Sequence, residues 1–250
     1  MSLVCMRCGL AVRPNFKYCS TCGAPVIESA SEADDVVPYS PFMGNQGNAI
    51  RQMTGQNAGI FFSAYPECCI GRADANVRIP DDMTLSPCHA RIFNREDCLY
   101  LEDRDSLNGV FLAIKDQMYL QDHDIIRAGD HYFFYEVAVA DAFTDEFGTE
   151  FYASPSRGER FRLVEITSGG RRGRAYMSPD GVAVVGRTDG DFKFPEDDKM
   201  SARHFTVRWT RAGGILIDHS ANGTFLQIHD AVRVSAGDLF FAGKNLFRVI

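Results

Sequence analysis

The chain has 250 residues, with 26 Lys plus Arg against 33 Asp plus Glu and eight cysteines. Hydrophobic residues at 45% and charged residues at 24% fit a globular chain of one or two domains with a sizeable core, and exclude a mostly disordered one. A net charge of −7 excludes a protein wholly devoted to coating nucleic acid or an anionic membrane. No run approaches the roughly 18 apolar residues of a membrane-spanning helix.

The start, Met1-Ser2-Leu3-Val4-Cys5, lacks the charged and apolar regions of a signal peptide, so the expected compartment is the reducing cytoplasm. Cysteines there point to metal or buried thiols before disulfides. Cys5 and Cys8 form one Cys-x-x-Cys pair, and Cys19 and Cys22 form a second after ten intervening residues. Each pair sits on a tight turn, eased by Gly9 or Gly23, that aims two sulfurs at one ion. Four thiolates make a closed tetrahedral shell for one structural Zn2+, with no open position for catalysis. A segment of about 27 residues also needs such a staple to fold. Two disulfides or four free thiols are the alternatives. The segment 1–27 resembles the small zinc-ribbon modules that open many multidomain proteins. Cys68, Cys69, Cys88 and Cys98 show no ligand spacing and are expected to be small hydrophobes or free thiols.

Residues 28–45 carry four acids, no base, and Pro38 and Pro41, the composition of a linker. Beyond it the chain repeats itself. Ile70-Gly71-Arg72 returns as Val185-Gly186-Arg187, and Ser86-Pro87-Cys88-His89 as Ser201-Ala202-Arg203-His204, both at an offset of 115. Asn108-Gly109 returns as Asn222-Gly223 at 114, so one residue is lost in between, and Asp124/Asp238 and Gly129/Gly243 keep that offset. The period is too long for a solenoid unit and marks a duplicated domain, 46–140 and 160–250, joined by a second acidic linker, 141–159.

Short alternating runs such as Leu99 to Glu102, His131 to Val139 and Phe205 to Trp209 stand between Asp, Asn, Gly and Pro clusters. No stretch holds a helical period for three turns. The expected fold class is all-β: two β-sandwiches in tandem, their loops forming the binding surfaces.

The residues shared by the copies are Gly-Arg, Ser-x-x-His and Asn-Gly. A Ser–His triad is ruled out by the missing glycine-framed elbow and oxyanion motif. Gly237 to Asn245 fails as a phosphate-binding P-loop, because Asn stands where Ser or Thr must hold magnesium. The reading is therefore a binding protein and not an enzyme. Arg offers a planar charged fork for two phosphate oxygens, Ser a neutral donor, and Asn both a donor and an acceptor for an extended peptide.

With these motifs each copy resembles a forkhead-associated (FHA) domain, a β-sandwich that recognises phosphothreonine. The resemblance rests on Gly-Arg, Ser-x-x-His fourteen residues after the Arg, and Asp103 to Gly109 or Asp218 to Thr224. It implies that Arg72 and Arg187 hold phosphate, that Ser86 and Ser201 donate to it, and that Asn108 and Asn222 bind the peptide main chain. It also implies that His89 and His204, with Gly71, Gly186, Gly109 and Gly223, shape the loops. Leu107 and Ala221 stand where the family often carries Thr or Ser, and Pro87 and Ala202 where it often carries a basic or polar residue, so both sites are lean.

Residues 46–140 hold eight bases and fourteen acids, whereas 160–250 hold fourteen and ten. A phosphate dianion is drawn to the second field, and Arg203 replaces Cys88 there, so the second copy is expected to be the working reader. The expected function is an adaptor in Ser/Thr kinase signalling, whose partner is a phosphothreonine protein such as the kinase or its substrate. The alternative is a phosphate-independent scaffold or oligomerisation protein with relic sites. No membrane or nucleic-acid partner is expected. Thr144 and Thr149, in the acidic linker, are candidates for self-recognition once phosphorylated.

Overall fold

The computed structural model describes residues 49–138, 144–150 and 158–250, together with the backbone of residues 3–4 and 11–12. The chain divides into two units, Met1–Pro41 and Phe42–Ile250. In the first, β1 (Leu3–Val4) and β2 (Ala11–Val12) pair antiparallel. Cys5, Cys8, Cys19 and Cys22, and the linker 28–45, lie outside the described residues.

The second unit is built of strands alone among the described residues. The first repeat contributes β3 (Ala49–Gln52), β4 (Phe61–Ser63), β5 (Glu67–Gly71), β6 (Val77–Arg78), β7 (Ala90–Arg95), β8 (Cys98–Asp103) and β9 (Val110–Ala113). It continues with β10 (Gln117–Leu120), β11 (Ile125–Ala128) and β12 (His131–Val137). The second repeat follows the same order. It opens with β13 (Phe161–Thr167), β14 (Arg171–Met177), β15 (Val182–Gly186), β16 (Phe192–Lys193) and β17 (Phe205–Thr210). It ends with β18 (Gly213–Asp218), β19 (Thr224–Gln227), β20 (Val232–Val234), β21 (Leu239–Ala242) and β22 (Asn245–Val249). The runs Leu99 to Glu102 and Phe205 to Trp209 lie wholly on strands, and His131 to Val137 form the strand of the third. In β8, for example, Leu99 and Leu101 point into the core and their neighbours out.

The boundaries 46–140 and 160–250 mark the repeats but not the sandwiches. After β9 the first repeat crosses over. Its β10 pairs with β18, its β11 with β19 and its β12 with β13, all antiparallel. The second repeat reciprocates: β20 pairs with β8, β21 with β9 and β22 with β3. One sandwich is thus the contiguous stretch β10–β19, and the other joins β3–β9 to β20–β22. A ten-stranded sheet, β14-β13-β12-β11-β19-β9-β21-β22-β3-β4, runs through both, and a five-stranded sheet belongs to each. At its centre Leu112 of β9 faces its own counterpart, Leu226 of β19, so a pseudo-twofold axis passes between them.

The cores follow this exchange. Ile50, Ile70, Ile92 and Leu101 pack with Phe240, Phe247 and Val249, while Phe133 and Tyr135 pack with Phe161, Leu163, Phe205 and Leu216. Each fully buried side chain of this size contributes about 1.5–3 kcal/mol, so each fold depends on strands from both repeats. Ile114 and Ile228, at the two crossings, are buried in the second and first cores respectively. Lys115 pairs with Asp238 at 2.7 Å, and its counterpart His229 lies 3.4 Å from Asp124.

Side-chain chemistry selects this pairing. Glu136 of β12 is buried, and Arg162 of β13 and Arg172 of β14 both reach its carboxylate. The equivalent register on the first repeat's own β3 offers Ala49 in place of Arg162, which leaves a buried charge unpaired at a cost of several kcal/mol. Burial alone raises the Glu136 pKa, but the two arginines hold it below the usual carboxylate range.

The exchange also corrects the charge argument. Residues 49–113 with 228–250 carry nine bases and eleven acids, and residues 117–137 with 161–227 carry eleven and twelve. The contrast between repeats does not survive as a contrast between sandwiches.

Candidate phosphopeptide-binding sites

Every candidate residue of a site lies before the crossing in its repeat, so each site is carried whole on one sandwich. In the first, Arg72 follows β5, Ser86 and His89 lie between β6 and β7, and Asn108 between β8 and β9. The backbone N–H of Arg72 donates to the Ser86 carbonyl at 3.0 Å, and that of Ala73 to the Pro87 carbonyl at 3.1 Å, which ties the two loops together. The second site repeats this with Arg187 to Ser201 at 2.9 Å and Thr188 to Ala202 at 3.3 Å. The approach is so close that a side chain on Gly71 would collide with the Pro87 carbonyl, and one on Gly186 with that of Ala202. Glycine is required here by space.

Both histidines are fully buried. Nδ1 of His89 accepts the Ser86 N–H at 3.1 Å, so the proton sits on Nε2, which donates to the Gly109 carbonyl at 3.0 Å. In the second site the same bonds join His204 to Ser201 at 3.0 Å and to Gly223 at 3.2 Å. Burial lowers the pKa of both imidazoles and keeps them neutral. Each therefore bridges the serine loop and the Asn-Gly loop.

The hydroxyls are poised to donate. Ser86 Oγ accepts the Leu107 N–H and Ser201 Oγ the Ala221 N–H, each at 3.1 Å, leaving the hydroxyl proton for a ligand. Asn108 Nδ2 donates to the Thr84 carbonyl at 2.8 Å and Asn222 Nδ2 to that of Lys199 at 2.7 Å. Both asparagines are exposed, so the amide oxygen is free for a peptide N–H. Gly109 and Gly223, at φ 77° and 88°, donate their N–H to Ser106 and Ser220. The one-residue difference between repeats falls in this loop, where Asp105 takes a left-handed φ of 50° and leaves the Ser-x-Asn-Gly geometry unchanged.

The sites differ in three respects. Arg72 Nε is engaged by the Leu85 carbonyl at 3.3 Å, whereas the Arg187 side chain has no protein partner among the described residues. Arg203 is present at the second rim but pairs with Asp189 at 3.3 Å, and both are exposed. The first rim is apolar, with Leu107 90% and Met83 76% exposed, where the second carries Ala221 and Asp198. Cys88 and Cys69 are free and half-buried; Cys68 is a free thiol in the core, its pKa pushed up to about 11 by burial.

Sequence reasoning missed Asp82 and Asp197. Asp82 Oδ1 accepts the Thr84 N–H, and Asp197 Oδ1 the Lys199 N–H, each at 2.9 Å, and so shape the segment that holds each asparagine. Their conservation between repeats at the offset of 115 was the available signal.

No curated protein matches the chain. A solved structure described as "Structural and functional analysis of phosphothreonine-dependent FHA domain interactions" is 29% identical over 33% of this chain and 85% of its own, with a TM-score of 0.21. The family model of the FHA domain matches this chain twice, over residues 68–129 and 183–241, and each match contains one complete site.

Proposed function

We propose that the protein is a phosphothreonine-dependent protein-binding adaptor whose working reader is the second site, Arg187, Ser201 and Asn222. The observation that carries this is the unpartnered Arg187 guanidinium in a twice-built constellation with a donating serine and an exposed asparagine. Charge-assisted hydrogen bonds from Arg to phosphate supply most of the affinity, and the asparagine fixes the peptide backbone. The ranking rests on local chemistry, since the net charges of the two sandwiches are close. Isothermal calorimetry with phosphothreonine peptides tests it. Arg187→Ala is expected to weaken binding about 30-fold, for about 2 kcal/mol of lost charged hydrogen bonds, while Arg72→Ala retains it. The reverse pattern would refute the ranking. Equal binding of the dephosphorylated peptides would refute the function.

The apolar rim of the first site, Leu107 and Met83, favours a phosphate-independent protein contact there. The linker supports self-recognition as a further use of the second site. Thr144 and Thr149 flank a turn closed by Asp145, whose carboxylate accepts the N–H groups of Phe147 and Thr149 at 2.9 and 2.8 Å. A peptide of residues 141–159 phosphorylated at either threonine belongs in the same titration, and its failure to bind would exclude that ligand.

Cys5, Cys8, Cys19 and Cys22 hold one structural zinc in this proposal, on the strength of their spacing, in a chain that works in the cytoplasm. One equivalent of zinc by elemental analysis, lost on changing Cys5 and Cys8 to Ser, is the expected result. Metal-free purified protein with intact thiols would rule it out.

A further inference from the structure

The turns that buttress the two binding loops come from the opposite repeats. In the first site Asn108 is held by the Thr84 carbonyl, and Thr84 by Asp82. The other oxygen of Asp82 accepts the backbone N–H of Lys244, in the β21–β22 turn of the second repeat, at 3.0 Å and the side-chain amide of Asn245, the first residue of β22, at 2.7 Å. In the second site Asn222 is held by the Lys199 carbonyl, and Lys199 by Asp197. The other oxygen of Asp197 accepts the N–H of Asp130, in the β11–β12 turn of the first repeat, at 2.8 Å. Asp130 also grips the Lys199 ammonium with both carboxylate oxygens, at 2.7 and 2.8 Å. Asp130 and Lys244 are counterparts at the offset of 114, as Thr84 and Lys199 are at 115.

We propose that the peptide-gripping asparagine of each site is positioned by the other repeat, Asn222 through Lys199 and Asp130, and Asn108 through Asp82, Lys244 and Asn245. This rests on the phosphopeptide reading above and adds the residues that set each site's geometry. Complementarity supports it. If each turn lay on its own repeat's loop, Lys199 would meet Lys244 and repel it, and Asp130 would meet Thr84 without a cation. The observed partners are Lys199 with Asp130, and Thr84 with a turn whose charged side chain is a lysine beside the Asp82 carboxylate. Asp130 and Lys244 are positioning residues, since neither reaches the phosphate-binding arginine.

The test uses the full chain carrying Asp130→Lys, which sets a cation against Lys199. Second-site affinity for a phosphothreonine peptide, read in an Arg72→Ala background, is expected to fall about tenfold. First-site affinity, in an Arg187→Ala background, stays within about twofold. Adding Lys199→Thr, which recreates the first site's Thr and Lys combination, is expected to recover most of the loss. The side-chain amide resonances of Asn222 are expected to move in the single variant, and those of Asn108 to stay. Unchanged affinity at the second site, equal loss at both sites with a lower Tm, or no recovery in the double variant would each overturn the proposal. If the wild-type chain binds no phosphopeptide, the functional reading fails alone, and the asparagine resonances decide the positioning: movement of Asn222 upholds it and its stillness overturns it.

Discussion

His89 and His204 each accept a serine N–H on Nδ1 and donate from Nε2 to a glycine carbonyl, a pattern only the neutral ring can make. Burial depresses both pKa values below the ordinary 6.5. A group with a depressed native pKa contributes stability that is complete above its unfolded value and is lost as pH falls through the native value. The protein is therefore expected to lose stability as pH drops below about 6.5, and chemical denaturation between pH 7.5 and 5.5 reads this. A midpoint that stays level in that window for the wild type, or falls as steeply in a His89→Gln, His204→Gln protein, would contradict it. Ser-x-x-His repeating at fixed spacing with Asn-Gly marked these histidines in the sequence, and a structural role was what the family resemblance implied for them. Asp82 and Asp197 were marked only by their repeat at the offset of 115, and half of what they bond was hidden, because the turns that meet their second oxygen lie elsewhere in the chain.

Strands were legible wherever one face is buried, since alternation of apolar and polar residues reports burial directly. Leu99 and Leu101, between half-buried neighbours, are a plain case. The binding loops were legible for a different reason: their geometry is short-range and forces particular residues. Gly71 and Gly186 must be glycine because a carbonyl occupies the space of a side chain, and the inserted Asp105 is absorbed by a residue type that tolerates φ of 50°. Partner choice was not legible. β12 and β22 are equivalent in the repeat, and alternation fits either β3 or β13 equally well. What separates the two is a handful of cross-strand contacts, chiefly Glu136 with Arg162 and Arg172 and the Gln52–Asn245 hydrogen bond. The edge strand β14 carries Arg171, Arg172 and Arg174 exposed, a charged border that discourages further strand addition.

At the scale of the molecule, a sequence repeat and a folding unit are different objects here. The contiguous stretch 117–227 contains every strand of one sandwich, its core, and the whole second site. It is expected to fold alone as a monomer and to bind phosphopeptide. Residues 160–250, one full repeat, lack Glu136 and Asp130, leave Arg162 and Arg172 unpaired, and set Lys199 against Lys244. Their Tm is expected to lie about 10 °C below that of 117–227, reflecting one to two kcal/mol of lost pairing. Calorimetry of the two fragments checks this, and a more stable 160–250 would show that each repeat closes on itself. The family match itself straddles the crossing, since residues 68–129 begin in one sandwich and end in the other.

The pairing of β3 with β22 has a consequence for how the chain is made. Translation proceeds from the N-terminus, yet β3, β8 and β9 wait for partners encoded after residue 231. The sandwich begun first is completed last, after the one begun second has all its strands by Gln227. At about 5–20 residues per second, the first repeat spends roughly ten seconds or more on the ribosome with open strand edges. During that interval a neighbouring nascent copy carries the same complementary strands. Closure between two chains therefore competes with closure within one until β22 has been made.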